Sequence, residues 1–595
     1  MNEKNRKGKL ILRFFKGSKK YFVAAVIASL ATTILNALTP QIFRFSIDEV
    51  LTGDKYVFLS EHLWIVSLLL VGVAVLSGLS MFVSRTSTAK AGENFAKNMR
   101  DALFIHVQKL PIKWHDQNQT GDIIQRCTSD VEVIRNFVVT QLLEVFRTVF
   151  LVVVSFAIMV SMNVKLSLVT LAFVPIVVAY STIFYRLIAK RFTAADEVEG
   201  ELSTVVQENA TGVRVVRAFG REKFEMDRFR EKNDIFAKLW IRLGTISGLY
   251  WGVGDLITGL QVVTIIVLGA IEAVNGSISV GEFIAFASYN TTLVWPIRGL
   301  GRILSDMSKA GVSFERVDYI IRGKEEAYEQ EMGKKEQEPR YDITFSDVTF
   351  AYEHGNEVLK HVDFQIKQGE TFGILGGTGS GKSTVTQLLT RLYELADEQG
   401  KILIGGVDIR EIPLEVLRKN VGMVLQEPFL YSRTIRENIA AANPDASLEE
   451  IRNAAKIACV DDAIMGFADG YETLVGERGV TLSGGQRQRV AIARMLLQKA
   501  PIMVFDDSLS AVDSETDALI RHALKEHMTD ATVILISHRV TTLMGADKIM
   551  VLNQGEIEEM GTHQELIKQD GIYRKIYDIQ MSHDDRKTVE KEERA

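Results

Sequence analysis

Nine consecutive residues, Gly376-Gly377-Thr378-Gly379-Ser380-Gly381-Lys382-Ser383-Thr384, carry the densest chemistry in this 595-residue chain. The apolar stretch Phe372-Gly373-Ile374-Leu375 precedes them, and the helical pattern of residues 385–392 follows. A glycine-rich turn between strand and helix lets backbone N–H groups converge on phosphate oxygens, and the helix N-terminus adds its dipole. In the spacing G-x-x-x-x-G-K-[ST], Lys382 is placed to neutralise the β- and γ-phosphates of a nucleotide. The Ser383 hydroxyl is placed to bind Mg²⁺.

A second apolar strand, Ile502-Met503-Val504-Phe505, ends in Asp506-Asp507. Alone, such a pair marks a strand end. Beside a phosphate loop, Asp506 is expected to hold Mg²⁺ together with Ser383, directly or through water. Between the two motifs lies Leu482-Ser483-Gly484-Gly485-Gln486, opening the helical stretch 487–497. Small residues at a helix start form a second anion site. One nucleotide does not need two, so the second is expected to serve a nucleotide held by another copy of the domain. Function then requires a dimer.

These residues sit on a pattern of short apolar strands alternating with helical stretches, from about Ile343 to Met581. The first half of the chain differs. Six apolar runs fill it: Tyr21–Phe43, Leu63–Ser84, Thr148–Val164, Leu166–Tyr185, Leu243–Ile271 and Phe283–Ile297. Runs of about 20 residues cross a bilayer. The third gains length by helical continuation back past Arg147 and Glu144, the fifth is interrupted by Asp255, and the sixth stops at Arg298. The first run, 23 residues without a charge, exceeds the roughly 7–15 of a signal-peptide core, so it is expected to remain as an anchor.

Charge divides the chain in the same place. The net of −6 combines +8 over residues 1–320 with −14 over 321–595. Residues 1–20, 85–135 and 186–242 hold 28 Lys/Arg, against Arg44, Lys55 and Lys165 in the alternate segments. Basic loops stay on the cytoplasmic side, so both termini and the ATPase domain are expected in the cytoplasm, in a multi-pass plasma membrane protein. Two cysteines, Cys127 and Cys459, make no disulfide framework. The acidic second half gives no footprint for nucleic acid.

The expected architecture is an α-helical transmembrane domain, six spans with long cytoplasmic helical extensions, fused to an α/β P-loop ATPase domain. The divisions are a basic segment 1–20, the transmembrane domain 21–322, a charged linker 323–340, the nucleotide-binding domain 341–581 and a charged, disordered tail 582–595.

These motifs resemble the ATP-binding-cassette (ABC) family, whose signature is the Leu482–Gln486 pentapeptide. The resemblance extends across nearly the whole chain and implies ATP with Mg²⁺. It places Tyr352 against adenine and Ser483, Gly484, Gly485 and Gln486 on ATP. It makes Gln426 the Q-loop residue that senses Mg²⁺ and the membrane domain, and His538 the switch histidine on the γ-phosphate. Ser510-Ala511-Val512-Asp513 is similar to the D-loop, and Val475-Gly476-Glu477-Arg478-Gly479 to the cross-linking loop of exporters. The two basic loops are expected to be helices joined by short turns at 117–122 and 212–220; six spans fused N-terminally resemble an exporter half-transporter, in which those two turns would be the coupling helices.

One position departs. The family usually carries Glu after the Walker B aspartate, where it orients the attacking water; here it is Asp507. The carboxylate is withdrawn by roughly 1.5 Å, about one carbon–carbon bond. A misplacement of about 1 Å costs on the order of a hundredfold in rate. The expectation is a slow site on this chain's own phosphate loop and, through its intact signature, a fast site on a partner that carries Glu. That is a heterodimer exporting amphiphilic small molecules, drugs or lipid-like compounds. The alternatives are a homodimeric lipid or peptide exporter, an ATP-gated channel, or a soluble-type ABC ATPase, the last opposed by the six spans.

Within the spans, Asp255 is open to two readings, a lure for cationic cargo or a residue beyond the hydrocarbon. Glu144 and Arg147 are spaced to pair at i,i+3. Pro175 and Pro296 are positioned to kink the fourth and sixth spans.

Overall fold

An apolar stretch in lipid has no water to satisfy its backbone, so it closes its hydrogen bonds within a helix. In the computed structural model, six long helices follow: α1 (Lys19–Phe45), α2 (Leu63–Gln108), α3 (Leu142–Met162), α4 (Val164–Ala218), α5 (Glu222–Val274) and α6 (Val280–Arg322). The structure describes residues 13–53, 56–326, 340–353, 355–476, 479, 481–508, 514–527 and 531–580. The tail expected over 582–595 and most of the linker lie outside the described residues. By contacts the chain divides into two units, Met1–Lys109 with Asn118–Gly323, and Leu110–Gln117 with Lys324–Ala595.

Five of the long helical stretches, those carrying α1 to α5, are long and apolar enough to cross a membrane. The sixth packs one face against the others. Its Phe286, Tyr289, Asn290, Leu293 and Ile297 are all buried, so it carries polar groups that a lipid-facing helix avoids. Asn290 accepts a hydrogen bond from Gln261 on α5 at 2.8 Å. At 1.5 Å per residue, the 55-residue α4 runs about 80 Å, well beyond the roughly 30 Å of hydrocarbon. The long extensions therefore continue without a break.

Local chemistry sets the helix ends. Asn163 caps α4 through the Leu166 N–H at 3.0 Å, and Ser279 and Glu282 form a reciprocal capping box on α6. Pro175 and Pro296 lie inside continuous helices, as does Pro40 of α1.

Three expectations need correction. Residues 212–218 remain helical in α4, and the turn shrinks to 219–221, closed by Gly220 at φ +60°. Residues 117–122 are mostly helix, because Ile112–Gln117 and Thr120–Gln125 flank a two-residue break. Glu144 does not pair with Arg147; it meets Arg302 of α6 at 3.3 Å. Asp255 for its part pairs with Arg298 at 2.7 Å.

The second unit carries two sheets. Strands β1 (Ile343–Ala351), β2 (Glu357–Ile366), β4 (Lys401–Ile404) and β5 (Val407–Asp408) form an antiparallel sheet in the order β2-β1-β4-β5. Strands β3 (Thr371–Leu375), β6 (Val421–Val424), β7 (Ile502–Asp506), β8 (Thr532–Ser537), β9 (Lys548–Asn553) and β10 (Glu556–Gly561) form the other, in the order β10-β9-β3-β8-β7-β6. All its pairings are parallel except β10 with β9. β7 and β8 are buried at every residue, as continuous apolar runs in a covered parallel sheet must be. The rings of Phe345, Phe364 and Phe372 stack between the sheets, with centroids 4.5 and 5.3 Å apart.

Candidate nucleotide site

The strand order brings the chemistry together. β3, β8 and β7 are neighbours, and their carboxyl ends deliver the glycine-rich loop, His538 and Asp506-Asp507 to one edge. That edge is where parallel α/β sheets bind ligands. The loop follows β3 and runs into α7 (Lys382–Leu389). A Cβ on Gly376 would lie 2.4 Å from the Leu552 carbonyl oxygen, and Gly381 sits at φ +100°. Both positions require glycine.

Lys382 reaches back over the loop, its Nζ donating to the carbonyls of Gly376 at 2.9 Å and Gly377 at 2.7 Å. Burial pulls its pKa down, while Asp507 and Asp506 oppose the shift. The ammonium is thus a partly desolvated cation curled around an anion-sized loop. The Ser383 hydroxyl donates to Asp506 Oδ1 at 3.1 Å. Burial raises the Asp506 pKa; Ser383 opposes this and Asp507 reinforces it. A buried carboxylate beside a hydroxyl is a hard-oxygen donor pair that suits Mg²⁺, which favours few protein ligands plus phosphate and water. No cluster of three or more His, Cys, Asp and Glu that could hold a metal occurs among the described residues.

Asp506→Asn provides a test. A carboxyl whose folded pKa is raised by burial increasingly destabilises the empty fold as pH rises above its unfolded value. The amide removes that penalty. The nucleotide-free variant is expected to melt higher, by about 1 kcal/mol of stability, while added Mg²⁺ no longer improves ATP binding. Thermal unfolding with and without Mg²⁺-ATP measures both.

Asp507 adopts φ +46°, with its N–H donating to the Ile536 carbonyl at 3.0 Å. Its carboxylate oxygens lie 3.0 and 3.1 Å from His538 Nδ1. Left-handed backbone is uncommon for a residue other than glycine, and aspartate is among those that tolerate it. His538 is steadied from behind: Gln580 donates to its carbonyl at 2.8 Å and accepts the Val540 N–H at 2.8 Å. Gln580 carries no motif and lies 42 residues away, so sequence offered no signal for it.

The remaining expected residues are less tightly assembled. The Tyr352 hydroxyl bonds Gln387 at 2.7 Å and Thr384 at 3.1 Å, which ties the ring to α7 beside the loop. Gln426 is exposed; its carbonyl accepts from Gln488 at 3.4 Å, and no hydrogen bond joins its side chain to Ser383 or Asp506 among the described residues. Ser483 caps α8 (Gly484–Leu497), bonding the Gln486 N–H at 3.3 Å while Gln486 Oε1 accepts the Ser483 N–H at 2.9 Å. Ser483 and Gly484 are exposed, and no described hydrogen bond links the signature to the phosphate loop of the same chain. The D-loop and residues 477–478 of the cross-linking loop lie outside the described residues.

In the same unit, the helix Ile112–Gln117 docks beside this domain. Tyr393 donates to Asp116, Gln117 donates to Glu353, and Lys113 pairs with Glu353 at 2.8 Å. Burial, with Asp116 adding to it, pushes the Tyr393 phenol well above its ordinary pKa.

Comparison with known proteins agrees with this geometry. Residues 22–297 match the ABC transporter transmembrane region, and residues 359–510 match the ABC transporter family. An uncharacterised ABC transporter ATP-binding protein of Bacillus subtilis is 36% identical over 94% of this chain and 95% of its own length. A putative multidrug export ATP-binding/permease protein of the same organism is 33% identical over 96% of this chain and 99% of its own. An ATP-dependent lipid A-core flippase of Desulfotalea psychrophila is 31% identical over 96% and 99%. The solved structure of a bacterial Atm1-family ABC exporter with ATP bound superposes at a TM-score of 0.82, with 26% identity, covering 94% of this chain and 99% of that one. The chain belongs to the ABC exporters, as a half-transporter whose ATPase domain couples hydrolysis to transport across a membrane.

Proposed function

We propose that this half-transporter exports amphiphilic small molecules across the plasma membrane as one half of a heterodimer, with its ATPase domain in the cytoplasm. Its own phosphate loop forms a slow site, and its signature completes a fast site on a Glu-bearing partner. The observation that carries the asymmetry is Asp507. A short carboxylate stands where the family uses a longer one, and it is engaged by His538 at 3.0 Å. A base drawn back by about one bond length and held sideways is poorly placed to orient water, and positioning is most of what an ATPase supplies. The names of the relatives, one a multidrug exporter and one a lipid flippase, support amphiphiles as cargo. The 28-to-3 distribution of basic residues supports the orientation.

In this reading Lys382 and the loop N–H groups, Gly376 to Thr384, bind the phosphates. Ser383 and Asp506 hold Mg²⁺ with Gln426 entering on closure, and Tyr352 faces the base. His538 contacts the γ-phosphate. The signature's residues Ser483 to Gln486, of which Ser483 and Gly484 are exposed in the single chain, bind the nucleotide of the other subunit. Asp507→Glu restores the missing reach. It is expected to raise single-site turnover on this chain's loop at least tenfold, measured with the partner's site blocked; unchanged turnover would overturn the slow-site reading.

The helix Ile112–Gln117 is the proposed coupling element. Asp116→Ala removes the acceptor of the Tyr393 hydroxyl. ATP hydrolysis is expected to stay within about twofold while ATP-driven transport into inverted vesicles falls about tenfold, a loss of coupling near 1.4 kcal/mol. Parallel losses of both activities would contradict the assignment.

A further inference from the structure

The membrane unit contains a cavity of about 300 Å³ between α3, α4, α5 and α6. Its charged lining is unbalanced, with Glu144 as the one carboxylate against Arg147, Arg298 and Arg302. Two of these arginines have acidic partners. Arg302 meets Glu144 at 3.3 Å, and Arg298 meets Asp255 at 2.7 Å. Arg147 is exposed and has no ion pair among the described residues. A second cavity, of about 530 Å³, shares Glu144 and Arg147 with the first and adds Arg85, likewise exposed and without an ion pair among the described residues. Arg147 lies on the helical continuation of the third span, where an unpaired charge is costly and marks a site that something else satisfies.

The wall opposite is aromatic. Arg298, only 3% exposed, lies 5.5, 5.2 and 5.4 Å from the ring centres of Tyr250, Trp251 and Trp295. Its Nε and Nη2 are buried without a hydrogen-bond partner. The two indoles lie 5.9 Å apart, and both line the cavity while remaining substantially exposed. Indole faces backed by a guanidinium are apolar surfaces with a positive field behind them. Asp255 is ion-paired with Arg298, so it is not a free carboxylate.

We propose that this cavity is a cargo subsite for acidic aromatic amphiphiles, planar ring systems bearing a sulfonate, carboxylate or phosphate. The ring lies against Trp251 and Trp295, and the anion meets Arg147, the arginine of this lining that has no ion pair among the described residues. This deepens the export reading above by naming the class of cargo, and it rests on that reading.

Two probes isolate the anion: 8-anilinonaphthalene-1-sulfonate and its uncharged analogue N-phenyl-1-naphthylamine, which share their rings. Binding is read from probe emission on the full-length protein in zwitterionic nanodiscs without nucleotide, corrected with empty discs. The sulfonate probe is expected to bind at least tenfold more tightly than the neutral one. Arg147→Gln should erase that preference while leaving the neutral probe within about threefold, and Arg147→Lys should retain it. Trp295→Leu should weaken both probes. Equal binding of the two probes by the wild type, or equal losses in Arg147→Gln, overturns the proposal. So does displacement of the sulfonate probe by phosphatidylglycerol in the discs at matched concentration, because the subsite then takes a lipid headgroup without need of a ring. Thermal melts confirm that each variant is folded. Because binding is measured without ATP, failure here leaves the export reading standing, and failure of ATP-driven transport leaves a positive binding result standing.

Discussion

In the assembled heterodimer, Ser483→Arg on this chain is expected to reduce ATP hydrolysis at least a hundredfold, whereas Lys382→Ala on the same chain reduces it less than threefold. The inequality follows from where each residue acts. Ser483 opens α8 from an exposed position and makes no hydrogen bond to its own phosphate loop among the described residues. In the proposed arrangement it completes the fast site in the other subunit. An arginine there places a bulky side chain where the γ-phosphate must close against the helix start, and positioned donors at a phosphoryl transition state are worth on the order of 10²–10³ in rate. Lys382 curls over this chain's own loop, which is the slow site in the proposed arrangement. Losing the capping hydroxyl costs about 1 kcal/mol of local stability, so Ser483→Ala, which loses the cap without the bulk, separates folding from function. Steady-state hydrolysis of the co-purified complex, with each variant on this chain alone, gives the comparison. Equal losses from the two variants would indicate two equivalent sites.

Much of this account was legible in the sequence because its signals are local. A glycine-rich turn between strand and helix, a strand ending in two acids and uncharged runs of about 20 residues each state their own structure through backbone geometry and burial. The family resemblance then ordered weak single residues such as Tyr352 and His538. What was not legible depends on contacts between distant elements. Nothing in the sequence around Glu144 shows that Arg302, 158 residues away, competes successfully with Arg147 one turn along the helix. The left-handed backbone at Asp507 is imposed by its bond to Ile536 on a neighbouring strand. The docking helix lies at Ile112–Gln117, ahead of the expected 117–122, because the polar run that marked a turn was largely helical and the contact is made by Asp116 and its neighbours. Gln580 holds the His538 carbonyl from the far end of the domain. In each case the competing partner was chosen by tertiary proximity, which composition and periodicity do not encode.

Asp507 joins the local and the distant signals. Its identity is a one-residue departure readable from the chain, and its setting beside His538 is the contact on which the proposed slow site rests. Asymmetry between the two sites is the central claim, and the most direct test acts on the other subunit. The catalytic Glu of the partner half-transporter is replaced by Gln in the co-purified complex, in parallel with Asp507→Asn on this chain, and ATP hydrolysis is measured. The account predicts a loss of at least a hundredfold from the partner's variant and less than twofold from Asp507→Asn. Hydrolysis that survives the partner's substitution nearly intact would contradict it.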